Sequence, residues 1–217
     1  MTTEPPVDSH TLETARRRLS PRQAEAVTHL VRATGEEVEE VGYSGLTVRN
    51  VARRAGVAPA TAYNYFSSKD HLLAEVLWRR IQALPPEKEA DSGSVSQRLA
   101  DAVSAMVLFT TESPALVDAC TVALLSSNPD VKHLRDRIGA QIHRRLVAAV
   151  GPDIDPLVVR VLETCFSGSL LAAGMGHMPY GDIPGLVSAA AELLVDRAAR
   201  VPLPSRSPRP ARTGLVG

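Results

Sequence analysis

Residues 42–69 read GYSGLTVRNVARRAGVAPATAYNYFSSK, and the fold prediction starts from this stretch. Thr47 is of a type that caps helices, and Pro59 suits the first position of a second, short helix. Gly42 can end a preceding helix in the left-handed conformation, and Gly56 can make a tight turn. Apolar residues recur at helical spacing after the capping threonine: Val48, Val51, Ala52 and Ala55. Two helices joined by a short glycine-containing turn predict a helix-turn-helix.

The second helix has the size and the side chains of a helix that reads DNA. At 1.5 Å per residue it would be about 10 Å long, which fits a major groove about 12 Å wide. Small residues at its start would let the backbone approach base edges, and Asn64 could hydrogen-bond a base, most naturally adenine. Ser67 is expected to cap the next helix, whose first turn holds Lys69. A helix N-terminus together with a cation attracts a phosphate.

Helix signals continue along the whole chain. Ser20 and Gln23 have the spacing of a capping box, and Ser94 with Gln97 repeats it. Strand signals are nearly absent, so the sequence predicts an all-α protein. The expected helices are near 21–41, 47–54, 59–65, 69–83, 95–111, 114–126, 129–149, 156–177 and 183–199.

We predict four segments from this pattern. A flexible basic arm covers 1–19, and a three-helix helix-turn-helix DNA-binding domain covers 20–84. A helical bundle for effector binding and dimerisation covers 85–200, and a disordered tail rich in Pro and Arg covers 201–217.

The charge pattern favours a localised nucleic-acid surface. Lys and Arg number 24 and Asp and Glu number 24, so the formal net charge is zero, which argues against a protein that merely coats nucleic acid. Six basic residues against two acidic ones nevertheless leave a local balance of +4 between Val41 and Gln82. Arg49 belongs to this basic excess, and we include it among the expected DNA contacts.

Other classes of protein are disfavoured by what the sequence lacks. Cys120 and Cys165 form no metal-spaced pair and suit small buried thiols in a reducing cytoplasm. No signal peptide is recognisable, and no stretch approaches the roughly 20 apolar residues of a membrane span. The glycines of 174–176 are not spaced as a dinucleotide fingerprint, and 167–169 is not a nucleophile elbow. We therefore expect a cytoplasmic protein with no enzymatic activity, no cofactor and no metal.

The ordered run Gly-Tyr, Thr-Val, Val-Ala-x-x-Ala-Gly-Val and Thr-x-Tyr-x-Tyr-Phe, then Ser-Lys and leucines, resembles the DNA-binding domain of TetR-type regulators over about residues 22–80. The resemblance implies a homodimer on a pseudo-palindromic operator of double-stranded DNA, with a small effector changing the separation of the two reading heads. It implies phosphate contacts at Thr47, Tyr63, Tyr65 and Lys69. It implies base-edge contacts around Ala58, Pro59, Ala60, Thr61 and Asn64.

Three departures from the family pattern have structural consequences. Ala58 stands where a capping serine is common, so the recognition helix should lack one cap. Gly35 and Glu37 occupy positions of the first helix that are usually apolar, which should weaken that helix or shift its packing. The glutamate run over 36–40 must face away from DNA.

The second half of the chain suggests a dimer interface and a ligand pocket. Small residues on the last two helices allow close helix approach, and the resemblance implies that these helices form a four-helix interface with a second copy, with Gly168, Ala172, Gly176, Ser188 and Ala191 in it. Packing of these two helices within one subunit is the alternative. The segment from about Leu116 to Leu194 is similar to actinobacterial repressors of steroid and lipid catabolism. This resemblance implies a small apolar effector, such as an acyl-CoA or a steroid-like molecule. The expected pocket residues are Met106, Phe109, Leu116, Cys120, Leu124, Ile142, Leu162, Phe166, Leu170 and Met175.

Purely structural or surface roles stay open for several of these residues. Phe66 suits the core, and Tyr63 and Tyr65 could be purely structural. Arg53 and Arg54 suit solvated surface. The main alternative function is an interaction or architectural protein that uses its helix-turn-helix only for packing. Steep weakening of DNA binding with salt would separate a regulator from that alternative.

Overall fold

The computed structural model describes residues 20–86, 93–152 and 154–200. The predicted arm over 1–19, the loop expected at 87–92 and the tail over 201–217 lie outside the described residues. Within the described ranges every regular element is helical, which confirms the all-α prediction. The α-helices are α1 (Pro21–Gly45), α2 (Val48–Arg54), α3 (Pro59–Tyr65), α4 (Lys69–Gln82), α5 (Val95–Glu112), α6 (Pro114–Leu124), α7 (Pro129–Val150), α8 (Pro156–Gly174) and α9 (Ile183–Arg200). A short 3-10 helix, Tyr180–Asp182, leads into α9.

Capping residues begin α1 and α2 as the sequence predicts. The backbone N–H of Ser20 donates to Oε1 of Gln23 at 2.9 Å, and the N–H of Gln23 donates to Oγ of Ser20 at 3.4 Å, which forms the capping box. Oγ1 of Thr47 accepts from the N–H of Asn50 at 3.1 Å and begins α2. These bonds satisfy backbone donors that a helix start otherwise leaves without partners.

Gly42 interrupts α1 in a conformation that differs from the predicted left-handed one. Its φ is 63° but its ψ is −179°, so the backbone turns sharply there instead of winding into the left-handed helical region. Only glycine occupies that region readily, because a Cβ would clash with the backbone. The kink separates the long helix from the last residues before α2. Gly56, with φ 67°, makes the predicted turn between α2 and α3.

The chain divides into two compact units. The first consists of the described residues of Met1–Arg79 together with Asp118–Leu134, and the second of those of Arg80–Val117 and Arg135–Gly217. The sequence pattern predicts a single boundary near residue 84, whereas in the structure the end of α6 and the start of α7 also belong to the first unit. The thiol of Cys120 donates to the carbonyl oxygen of Leu73 at 3.5 Å within that unit. Periodicity marks Cys120 as buried but does not say which helix covers it.

The first unit has an aliphatic core around its short helices. α1 packs against α2 and α3, and α2 packs against α3. Leu30, Val51, Ala62 and Leu72 are fully buried. Phe66 is only 3% exposed, which confirms its interpretation as a core residue. Small Ala62 and Ala52 let the helices of the helix-turn-helix approach closely, so α3 has a buried side and an outer side.

The second unit is built on α5, α8 and α9. α9 packs against both α5 and α8, and the core between them includes Leu99, Leu162, Phe166 and Val187. The expectation that no stretch is apolar enough to span a membrane is wrong for α8, because its 19 residues, with a window of mean hydropathy 1.4, pass that test by length and composition. A core helix of a soluble bundle passes the same test. Its residues Leu162 and Phe166 are buried against the unit's own core.

Candidate nucleic-acid interface

α3 presents its expected DNA-contacting side chains on the outside of the first unit. Tyr63 is 55% exposed, and Asn64 is exposed beside it, whereas Ala62 between the helices is fully buried. Thr61 and Tyr65 are half-buried. Exposed residues at the starts of α2 and α3 complete the set: Thr47, Arg49, Ala58, Pro59 and Ala60. The helix-turn-helix therefore exposes hydroxyl, amide and guanidinium groups, the donors and acceptors that phosphate oxygens and base edges require.

The recognition helix begins without a side-chain cap, as the sequence predicts. Ala58 occupies the capping position with φ −60° and ψ 136°, and no side chain accepts a hydrogen bond from the first turn. Pro59 at the first helical position has no N–H to satisfy, which reduces the loss. The helix is seven residues long. Helices this short are marginal in isolation, so α3 depends on its packing and on what holds its ends.

Lys69 is held by Tyr43. Its Nζ donates to the carbonyl oxygen of Tyr43 at 2.8 Å and lies 3.9 Å from the centre of the Tyr43 ring. The hydroxyl of Tyr43 in turn donates to Oδ1 of Asp70 at 2.8 Å. Burial, followed by the hydrogen bond and the charge of Asp70, raises the pKa of Tyr43 to about 12. The first two residues of α4 thus clamp the segment that leads into α2, a role that the sequence analysis did not assign to Tyr43 or Asp70.

The predicted cap of α4 is displaced by one residue. The backbone N–H of His71 donates to Oγ of Ser68 at 3.0 Å, so Ser68, not Ser67, caps the helix. Ser67 instead donates its hydroxyl to Oδ2 of Asp130 at 2.7 Å. Both serines precede α4, and sequence spacing alone does not distinguish them. The difference matters because it leaves Ser67 available for contacts with a distant part of the chain.

Glu37 and Arg54 form an ion pair that the sequence analysis missed. Glu37 is 3% exposed, and its Oε2 lies 2.5 Å from Nε of Arg54, which also hydrogen-bonds Glu40. The hydrogen bonds that Arg54 donates to Glu40 and Glu37 raise the pKa of Arg54 above its usual value. Arg53 and Arg54 are both exposed, as expected for surface residues, but Arg54 also has a structural role as the partner of buried Glu37. A buried carboxylate is tolerated here because a cation and hydrogen bonds accompany it.

The expected pocket residues are dispersed. Met106, Leu162 and Phe166 fill the core of the second unit, with Ile142 and Leu170 packed against it. Leu116 is buried, Cys120 and Leu124 belong to the first unit, and Met175 is exposed. The side chain of Phe109 lies outside the described part of the chain. A groove of about 620 Å³ is instead lined by Leu157, Arg160, Val161, Thr164, Cys165, Gly168, Ser169, Ala172, Met178 and Leu186.

The expected dimer-interface residues divide into two groups. Gly168 and Ala172 line the groove on α8, and Gly176 is exposed just beyond that helix. Ala191 is 1% exposed in the core of its own unit, and Oγ of Ser188 donates to the carbonyl oxygen of Ser96 at 3.1 Å. Ser188 therefore contacts α5 of the same chain, and Ala191 is buried in the core of its own unit, where α9 packs against α5 and α8. Small size signalled close packing correctly but did not identify the partner.

No group of His, Cys, Asp and Glu among the described residues is placed to hold a metal ion.

Comparison with known proteins agrees with this geometry. Residues 30–76 match the family described as "Bacterial regulatory proteins, tetR family". A curated relative from Mycobacterium tuberculosis (strain ATCC 25618 / H37Rv), named an uncharacterized HTH-type transcriptional regulator, is 42% identical over 164 residues, which is 75% of this chain and 76% of the relative. The HTH-type transcriptional repressor KstR of Rhodococcus jostii (strain RHA1) is 27% identical over 186 residues, which is 83% of this chain and 87% of KstR.

Solved structures share the fold. A TetR transcriptional regulator from Rhodococcus sp. RHA1 has a TM-score of 0.64 at 23% identity, over 80% of this chain and 97% of the other. The regulator FadR from Bacillus subtilis, solved in complex with stearoyl-CoA, has a TM-score of 0.56 at 21% identity, over 77% of this chain and 97% of the FadR chain. The chain therefore belongs to the TetR family of bacterial transcriptional regulators, and it is a DNA-binding regulator of transcription rather than an enzyme.

Proposed function

We propose that this cytoplasmic regulator is a homodimeric repressor that leaves a pseudo-palindromic operator when a small apolar effector binds its second unit. The observation that carries the DNA-binding half of the proposal is the arrangement of α3. Its buried Ala62 fixes the helix to α2 and α1, and this orients Tyr63 and Asn64 outward. Thr47 and Arg49 add an exposed hydroxyl and a cation at the start of α2.

The apolar outer face of α8 and α9 supports a dimer. Leu157, Val161 and Leu186 are 39–46% exposed around the groove, and Leu193 on α9 is 75% exposed. Contiguous exposed apolar surface marks an interaction site more often than plain surface. We assign a second copy of this chain to this outer face of α8 and α9. In a two-fold symmetric dimer the same face of each copy covers the other, so the exposed apolar residues of both copies become buried. Gly168 and Ala172 in the groove would allow the helices to approach closely.

The effector is proposed to be an acyl-CoA thioester or a steroid-like molecule that enters the core of the second unit. Met106, Leu162 and Phe166 fill that core, and methionine can rearrange to accommodate irregular apolar ligands. KstR is named a repressor, and FadR was solved with stearoyl-CoA. An effector can release DNA only through its differential affinity for the two conformations, so its affinity must fall equally when the protein is on DNA.

Site selection from a random DNA pool tests the first half of the proposal. At near-physiological salt the full chain should recover a site with two half-sites. On that site Asn64→Ala should relax the preference at one base pair by roughly 1–3 kcal/mol, whereas Tyr63→Ala should weaken all sequences about equally. Gln82→Ala, an exposed amide on α4, is the matched control. Unchanged affinity in both variants, with the fold intact, would show that α3 does not read DNA.

Sedimentation tests the dimer. Leu193→Glu places a charge on the proposed interface and should shift the mass from two chains to one at micromolar concentration. Leu125→Glu is the matched control, because Leu125 is 72% exposed on the first unit. A wild-type protein that sediments as a monomer, or a Leu193→Glu variant that remains dimeric, contradicts this interface.

Effector release is measured as loss of the DNA complex during titration with stearoyl-CoA, with free CoA and stearate as controls, and separately with a sterol. The single tryptophan, Trp78 on α4, provides an independent emission signal of binding. Release by one probe class identifies the effector chemistry. If every probe leaves the complex intact and Trp78 emission unchanged, the effector is of another class.

A further inference from the structure

The turn between α3 and α4 is fastened to a distant corner of the chain. Oγ of Ser67 donates to Oδ2 of Asp130 at 2.7 Å and accepts from Nδ2 of Asn128 at 3.1 Å. The same Nδ2 lies 3.5 Å from Oγ of Ser68. Asn128 and Asp130 stand at the junction of α6 and α7, about sixty residues further along the chain, and within the same compact unit. We call the contacts of Asn128 and Asp130 with Ser67 the strap.

The corner that carries the strap is ordered by its own hydrogen bonds. Oδ1 of Asn128 accepts from the backbone N–H of Asp130 at 2.8 Å, and the carbonyl oxygen of Asn128 accepts from the N–H of Lys132 at 2.9 Å. The amide of Asn128 therefore has a divided role: its oxygen begins α7, and its nitrogen reaches Ser67. A side chain held in this way loses little further freedom when it binds Ser67.

The strap reaches the recognition helix through only two residues. α3 ends at Tyr65, the backbone N–H of Phe66 donates to the carbonyl oxygen of Ala62 at 3.0 Å, and Ser67 follows directly. The Phe66 side chain is buried, and its ring meets the ring of His71 edge-on at 5.2 Å. The C-terminal end of α3 is thus held by an apolar anchor and by the strap. Its other end has no side-chain cap at Ala58.

We propose that Asn128 and Asp130, which lie outside the helix-turn-helix, are positioning residues for DNA recognition: through Ser67 they hold α3 in the orientation that reads DNA. The inference rests on the proposed role of α3. A helix of seven residues with one uncapped end has little order of its own, so its orientation depends on its packing against α1 and α2 and on the restraint at its C-terminal end. Loss of the strap lowers the fraction of molecules with α3 in place, and the apparent DNA affinity falls by that fraction.

A double-mutant cycle on the wild-type selected site tests the strap. Ser67→Ala and Asp130→Ala should each weaken DNA binding by about 3- to 10-fold, the range of one ordinary hydrogen bond, because solvent weakens the charge assistance at this exposed position. The double variant should bind more tightly than the product of the two single losses predicts, because the two changes share the Ser67–Asp130 contact. Each change also removes a contact of its own, that of Ser67 with Asn128 and that of Asp130 with His71. Effects that multiply, or an Asp130→Ala variant that binds like wild type, overturn the proposal.

Two further variants separate positioning from general stability. Asn128→Asp keeps the oxygen that begins α7 but removes the donor to Ser67, so it should weaken DNA binding to a similar degree. Asp155→Ala is the matched control, because Oδ1 of Asp155 accepts from the N–H of Leu157 at 2.7 Å and begins α8 in the other unit. Asp155→Ala should lower thermal stability yet leave DNA affinity unchanged. Equal loss of DNA affinity in Asp155→Ala would show that the strap acts on DNA binding only through the general stability of the protein, which overturns the proposal.

Hydrogen exchange gives a readout that needs no DNA. Backbone amides over residues 63–68 should exchange faster in Asp130→Ala than in wild type, and those of α8 should not change. Unchanged exchange over 63–68 overturns the strap. If the wild type selects no DNA site, the proposed function fails, and this exchange measurement still decides the strap separately.

Discussion

Restoring the missing cap of the recognition helix should stabilise the first unit measurably. Ala58 has the extended backbone of a capping residue, φ −60° and ψ 136°, and its side chain accepts nothing. In Ala58→Ser the hydroxyl could accept from the backbone N–H of Thr61, three residues on, without any change of backbone conformation. Such a cap contributes about 1 kcal/mol, within a range of roughly 0.5–2. For a chain of this length that amounts to an increase in Tm of about 2–4 °C.

The assay is urea unfolding, combined with hydrogen exchange at the amide of Thr61, which reports on the new bond directly. Ala60→Ser is the matched control, because it adds the same hydroxyl to an exposed position of α3 that is not the capping position. Ala58→Ser should raise the free energy of unfolding and protect the Thr61 amide, and Ala60→Ser should do neither. Equal behaviour of the two variants would refute the argument that α3 lacks a cap.

Three further predictions concern α1, α2 and α4. Gly35→Ala should raise the free energy of unfolding by roughly 0.5–1 kcal/mol, since a Cβ there meets nothing within 4 Å. Gly42→Ala should lower it by about 1–3 kcal/mol, because residues other than glycine are strained at its φ of +63°. Equal urea midpoints of the two variants would contradict this. Arg54→Met should lower the urea midpoint clearly by leaving a carboxylate buried without its cation, whereas Arg53→Met should not; the reverse order would be evidence against the pair. Burial lowers the pKa of His71, against the charges of Asp130 and Glu75, so folding favours the neutral ring. The stability from that neutral ring is present above pH 6.5 and is lost as pH falls through the folded pKa, so wild type should lose more stability than His71→Gln between pH 7.5 and 5, and parallel pH profiles would argue against it.

Much of the fold was predictable because its signals are local. The capping serine and threonine of α1 and α2 act within three residues, and the turn glycine between α2 and α3 is required by its own φ. The absence of a cap at Ala58 was predictable for the same reason. Apolar periodicity after Thr47 identified Val48, Val51 and Ala52 correctly as buried, and Phe66 was assigned correctly to the core. Such features depend on the chemistry of neighbouring residues, and no knowledge of tertiary contacts is needed to recognise them.

Features that depend on distant residues were less accessible. Glu37 was expected to weaken α1, because it occupies a position that is usually apolar. Its partner Arg54 lies seventeen residues away on another helix, so the ion pair could not be predicted from neighbouring residues. Ala191 and Ser188 were assigned to a dimer interface, although Ala191 is buried in the core of its own unit and Ser188 bonds Ser96 of α5. Residue size and polarity say that a partner is needed, but they do not identify that partner.

The sequence by itself determined the helices, their caps and turns, the helix-turn-helix and the family, since each of these depends on residue types at short spacing. Only the tertiary structure decided that Ser68 caps α4 while Ser67 bonds Asp130, that Lys69 is held by Tyr43, and that the end of α6 and the start of α7 belong with the first unit. The physical reason is that hydrogen bonds and ion pairs act over about 3 Å. Which groups come within that distance depends on how the helices pack.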